Sequence, residues 1–77
     1  MREAVVNFGE AMEEKLVAND YKGGWSPQQC SLEFLTGKLL EEVGEFLKDK
    51  DPGELPDIAN MAMMLWQRLS ESGGVYR

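Results

Sequence analysis

Two pairs of acidic residues at helical spacing are the part of this chain best suited to chemistry. Glu42 and Glu45 form the first pair, and Glu54 and Asp57 form the second. Residues three apart are neighbours on a helix surface, so each pair projects two carboxylates from one side of its helix. Four carboxylates that face one another repel unless a cation lies between them. Hard oxygen ligands of this kind favour Mg²⁺ or Mn²⁺.

Both acidic pairs flank predicted apolar stripes. Each residue advances by about 100° around a helix, which places Glu42 at the edge of one stripe and Glu45 just outside it. Glu54 and Asp57 lie along one edge of the other stripe. The alternative is that both pairs only solvate a surface, because exposed charges contribute little and such pairs are common. The first stripe consists of Leu32, Leu35, Leu39, Val43 and Phe46, and the second of Ile58, Ala62, Leu65 and Leu69.

Four further residues are candidates for binding a substrate. In the segment Lys22-Gly-Gly-Trp25, glycines let backbone N–H groups approach a phosphate and tryptophan can stack on a base; the alternative is a hinge with an anchoring aromatic. Lys38 shares the flank of Glu42, where it either contacts a phosphate or forms an ion pair with Glu42. Asn60, one turn beyond the second acidic pair, either binds a metal-bound water or a ribose, or satisfies a neighbouring backbone group.

Three helices are predicted to position these residues, and no segment has the pattern of a strand. Hydrophobic periodicity defines the helices, and capping residues, glycines and prolines define their ends. The segment Asp51-Pro52-Gly53-Glu54 has the order of a capping box. The predicted ranges are about Glu3 to Ala18, then Ser26 or Ser31 to about Lys50, then Pro52 (or Glu54 or Leu55, because of Pro56) to Glu71.

The predicted fold class is all-α, with a three-helix protomer. The second and third helices form an antiparallel hairpin, since only a short break separates them. From Ile58 to Trp66 only Asn60 is polar, so the third helix is apolar nearly all round and needs neighbours to cover it. We therefore expect a second copy to complete a four-helix bundle, in a homodimer or a homotetramer.

The composition limits the class of protein. The 77 residues make one small domain, residues 1–77, with a net charge of −6, no histidine and a single cysteine, Cys30. The net negative charge argues against a surface that binds nucleic acid, and a lone cysteine is typical of proteins in a reducing compartment. No apolar run is long enough for a signal peptide or a membrane span. We expect a soluble cytoplasmic protein that binds neither membranes nor nucleic acids.

Two segments of the chain resemble a known family. Lys38-Leu-Leu-Glu-Glu-Val-Gly-Glu45, followed by Glu54-Leu-Pro-Asp-Ile-Ala-Asn-Met-Ala-Met-Met64, is similar to the E-x-x-E and E-x-x-D motifs of the MazG-like all-α nucleoside triphosphate pyrophosphohydrolases. Ala18-Asn-Asp-Tyr-Lys-Gly-Gly-Trp25 resembles the segment that precedes the first motif in small members of that superfamily. The resemblance covers roughly residues 12–69. The order of the motifs is more specific than either motif alone.

The resemblance implies an enzyme that hydrolyses a nucleoside triphosphate to its monophosphate and pyrophosphate. It implies that Glu42, Glu45, Glu54 and Asp57 bind Mg²⁺, with Mn²⁺ as a substitute, and that Glu42 or Glu45 activates the attacking water. The loop between the motifs is shorter than usual in the family, and Pro56 interrupts the second motif. These departures support an alternative function, a non-catalytic helical oligomerisation or interaction module with a degenerate metal site.

Overall fold

The computed structural model describes residues 1–18 and 31–71, and this part of the chain contains three α-helices and no strand. Helix α1 spans Glu3–Ala18, α2 spans Leu32–Asp49 and α3 spans Glu54–Glu71. The all-α prediction is confirmed for these residues. Two candidate substrate-binding residues, Lys22 and Trp25, lie outside the described ranges, as does Ser26.

Helix α2 begins at the second of its two predicted caps. The Ser31 hydroxyl accepts a hydrogen bond from the backbone N–H of Phe34 at 3.0 Å, which satisfies a donor that has no partner within the helix. At the other end, Lys50 adopts a left-handed conformation with φ of 56°. Its N–H donates to the carbonyl oxygen of Phe46 at 2.7 Å and so ends the helix.

Helix α3 begins at Glu54, two residues later than the capping-box pattern predicts. The Asp51 carboxylate accepts a hydrogen bond from the N–H of Gly53 at 3.0 Å, so this side chain organises the turn before the helix. Pro56 then occupies the first turn of α3, where an N–H is not required by the helix. Glu54 and Asp57 therefore keep helical spacing in spite of the proline.

The core of the described structure lies along α3, which packs against both α2 and α1. Residues 50–53 join α2 to α3, and two packed helices with so short a connection run antiparallel. Leu35 is 1% exposed and is the most deeply buried apolar residue of those described. The predicted stripe of α2 is confirmed by the half-buried Leu39, Val43 and Phe46, whereas Leu32 is exposed.

Part of the predicted apolar surface is exposed among residues 1–18 and 31–71. In the predicted α3 stripe, Ile58 and Leu65 are half-buried, but Ala62 and Leu69 are exposed. On α1, a group of apolar residues in the first half of the helix is exposed, and apolar residues in the second half are half-buried. The exposed α1 residues are Val5, Val6 and Phe8, and the half-buried ones are Met12 and Leu16. None of the described helices has the length and hydropathy that crossing a membrane requires.

Candidate metal centre

Glu42 of α2 and Asp57 of α3 belong to the two packed helices of the hairpin and lie within electrostatic range of each other. Glu42 is half-buried, and burial is the main reason why the pKa of its carboxyl is raised. The negative charges of Glu45 and Asp57 raise that pKa further, in this order. A carboxylate of α3 thus acts on a carboxylate of α2, as the sequence predicts for two acidic pairs on adjacent helices.

Glu54 extends the acidic surface towards the turn between the two helices. Burial is again the main cause of its raised pKa, followed by the charges of Asp49, Asp51 and Glu45 and by a side-chain hydrogen bond with Asp49 that favours the protonated carboxyl. Its Oε1 atom is buried and has no hydrogen-bond partner. An orphaned buried carboxylate oxygen is costly, because it has lost water without gaining a donor. Glu45 lies near both of these acids, because its charge contributes to the raised pKa of Glu42 and to that of Glu54.

The donor set of this acidic surface has the chemistry that a hard divalent cation requires. Carboxylate oxygens alone suit Mg²⁺ or Mn²⁺, and a cation would provide the orphaned Oε1 of Glu54 with a partner. It would also offset the repulsion that raises the pKa of both Glu42 and Glu54. Within residues 1–18 and 31–71, no three acidic side chains stand close enough together to form a ready-made ligand cluster.

Lys38 pairs with Glu41, not with Glu42 as one sequence interpretation proposes. Its Nζ donates to Oε1 of Glu41 at 2.8 Å, a contact that the spacing of three residues on α2 allows. This hydrogen bond is the main cause of the raised pKa of Lys38, and the charges of Glu42 and Glu45 contribute less. The ammonium therefore lies within the electrostatic reach of the first acidic pair.

Asn60 joins α3 to α1. This side chain is 3% exposed, and its Nδ2 donates to the carbonyl oxygen of Met12 at 3.1 Å. Of the two interpretations of Asn60 from the sequence, this contact agrees with the second, in which the amide satisfies a neighbouring backbone group. Its Oδ1 is also buried and has no hydrogen-bond partner.

Besides Lys38 and Asn60, Lys15 of α1 belongs to the surroundings of the acidic surface, and the sequence patterns do not identify it. Its Nζ lies 3.7 Å from Oδ2 of Asp57, so a cation from α1 meets the second acidic motif. One signal was available: Lys15 adjoins Leu16 and follows Met12 by one turn, which places it beside the apolar stripe of α1. The distance between α1 and Asp57, however, depends on how the helices pack.

Comparisons of the chain with protein-family models, with curated proteins and with solved structures find no match.

Proposed function

We propose that this protein is a Mg²⁺-dependent nucleoside triphosphate pyrophosphohydrolase, which releases a nucleoside monophosphate and pyrophosphate in the cytoplasm. One observation carries the proposal. The acidic pairs of α2 and α3 act on each other, because Asp57 raises the pKa of Glu42 and Glu45 raises that of Glu54. A surface whose carboxylates destabilise one another favours a cationic ligand, and a triphosphate carried on a divalent cation supplies one.

Glu42, Glu45, Glu54 and Asp57 are the residues proposed to hold the cation. When bound, Mg²⁺ neutralises the charge of the phosphates and helps to orient a water for in-line attack. Glu42 or Glu45 then accepts the proton that this water loses. Glu42 is suited to this role, because burial raises its pKa and a carboxylate with a raised pKa accepts a proton more readily.

Lys38 is proposed to contact the substrate beside the first acidic pair, together with Lys22 and Trp25 from residues 19–30, and Asn60, whose Nδ2 already donates to the Met12 carbonyl, is proposed to contribute only through its Oδ1. The Lys38 ammonium is near the first acidic pair, where it can reach a phosphate oxygen by leaving Glu41. Asn60 has an acceptor, Oδ1, that no described group uses. A second protomer, in a homodimer or homotetramer, is proposed to complete the four-helix bundle over the exposed residues of α3.

The test is pyrophosphate release from a panel of nucleoside triphosphates with Mg²⁺ or Mn²⁺. Glu42→Gln and Asp57→Asn should each lower turnover by about 100-fold or more, because each removes a charge on which binding or proton transfer depends. Glu33→Gln is the matched control, since Glu33 is an exposed acid in the first turn of α2. Circular dichroism should show unchanged helical content in all three variants. Equal turnover in Glu42→Gln and the parent would refute the site assignment.

A second candidate function is a non-catalytic oligomerisation or interaction module. The observation in its favour is that the large apolar side chains of Trp66 and Leu69 are 54% and 48% exposed on α3. The two functions differ in metal uptake. An enzyme of the proposed type gains thermal stability from Mn²⁺, because the cation binds only the folded state, whereas a module with a degenerate site does not.

A further inference from the structure

Two contacts tie one turn of α1 to one turn of α3. Lys15 Nζ lies 3.7 Å from Oδ2 of Asp57, and Asn60 Nδ2 donates to the carbonyl oxygen of Met12 at 3.1 Å. Met12 and Lys15 are one turn apart on α1, and Asp57 and Asn60 are one turn apart on α3. The buried amide contact thereby fixes the register that brings the Lys15 ammonium to Asp57. This ion pair is a consequence of how α1 docks, and it differs in that respect from an isolated pair on one helix.

Asp57 thus lies between opposite influences. On the side of α2, it shares the acidic surface with the half-buried carboxylate of Glu42. From α1, it faces the ammonium of Lys15. A cation within about 4 Å of a carboxylate repels any other cation that approaches the same oxygens.

We propose that Lys15 is a built-in counter-ion of the candidate metal centre, which competes with the divalent cation for Asp57 and so sets the concentration at which the site fills. This inference rests on the proposed function, in that Asp57 is taken to be a ligand. In this proposal α1 regulates metal uptake, although it lies outside both acidic motifs. Lys15 need not leave its helix, because the ammonium is partly exposed and can turn away from Asp57.

The test is a calorimetric titration of the parent and of Lys15→Met with Mn²⁺. Loss of the competing ammonium should lower the dissociation constant for Mn²⁺ by about three- to tenfold, as expected for a partly exposed charge at this distance. Lys48→Met is the matched control: it changes the net charge equally, at an exposed position in the last turn of α2, and should leave the constant within about twofold of the parent. Lys15→Arg keeps the charge and should bind like the parent.

Thermal melting gives a second signature that a purely structural role would not produce. Without metal, Lys15→Met should melt slightly below the parent, because it lacks the ion pair; with saturating Mn²⁺, its gain in melting temperature should exceed that of the parent. Lys15→Gln provides the same comparison if Lys15→Met loses helical content.

The possible results separate this inference from the proposed function. A parent that takes up no Mn²⁺ would overturn both. A parent that binds Mn²⁺, with Lys15→Met binding equally well or more weakly, would overturn the counter-ion role and leave the metal centre standing. If Lys48→Met bound Mn²⁺ more tightly than the parent by the same factor as Lys15→Met, the effect would come from net charge alone. That result would also overturn the counter-ion role.

Discussion

Glu42 occupies a position where burial and neighbouring charges act together. It is half-buried at the rim of the packed hairpin, and the acids Glu45, Asp57 and Glu41 add to the effect of burial on its pKa. Lys38 opposes them but does not reverse the outcome, since the ammonium hydrogen-bonds Glu41 instead. The result is a carboxyl with a raised pKa within the candidate metal centre.

Stability should therefore depend on pH through Glu42. The folded protein holds the proton of this carboxyl more tightly than the unfolded chain, whose ordinary value is 4.5. Below pH 4.5 the carboxyl is mostly protonated in both states, so it does not lower the free energy of unfolding. As pH rises from there through the raised pKa of the folded state, the group lowers that free energy progressively. With divalent cations chelated, Glu42→Gln should unfold at higher urea concentration than the parent at pH 7, and the advantage should shrink at pH 4.

Urea unfolding at the two pH values, at one protein concentration, measures this difference directly. Glu33→Gln serves as the control, because that exposed acid has no comparable environment. If Glu42→Gln were less stable than the parent at pH 7, the carboxylate would be stabilising the fold and the account of its environment would be wrong.

At the scale of the elements, local signals in the sequence predict most of the fold. Ser31 begins α2 because its hydroxyl caps the helix, and glycine and proline in the turn separate α2 from α3. These features depend on nearest neighbours along the chain. The sequence also places both acidic pairs on facing helices, since the spacing within each pair and the short turn suffice for that.

What the sequence does not predict is set by packing between helices. Lys15 meets Asp57 only because of the register in which α1 lies on α3, and no local pattern encodes that register. Lys38 pairs with Glu41 and not with Glu42. Both acids are within its reach on the helix surface, but Glu42 is turned towards the core. The exposure of Leu69 likewise depends on which faces of α3 the other two helices cover.

The docking of α1 can be tested through Asn60. Asn60→Asp replaces the donor to the Met12 carbonyl with a second acceptor at a position that is 3% exposed, so two acceptors would face each other. The free energy of unfolding should fall by about 2–4 kcal/mol. Chemical unfolding followed by circular dichroism measures it. Asn7→Asp is the matched control, since Asn7 is exposed on α1 and the same change should cost less than about 0.5 kcal/mol. Equal losses in the two variants would show that the Asn60 contact does not hold α1 in place.

At the scale of the whole molecule, one side of α3 carries apolar side chains that are exposed in the part of the chain that the structure describes. Leu55, Ala62, Trp66 and Leu69 are all exposed, and their spacing places them within about 60° of one another around the helix. Such a stripe has the 3.5-residue repeat of a helix that packs against another helix.

We expect this stripe to be the interface of a homodimer, in which the α2–α3 hairpins of two protomers form a four-helix bundle. Trp66 is the largest exposed side chain of the stripe, and its 54% exposure leaves a large area to bury. Trp66→Glu should weaken association by about 2 kcal/mol or more, roughly thirtyfold, because a carboxylate would be buried without a partner. Sedimentation of the parent and the variant at micromolar concentration measures the shift. Thr36→Glu, an equal change of charge at an exposed position on α2, should leave the assembly intact. A parent that sediments as a monomer at that concentration would remove the dimer and, with it, the bundle proposed to surround the metal centre.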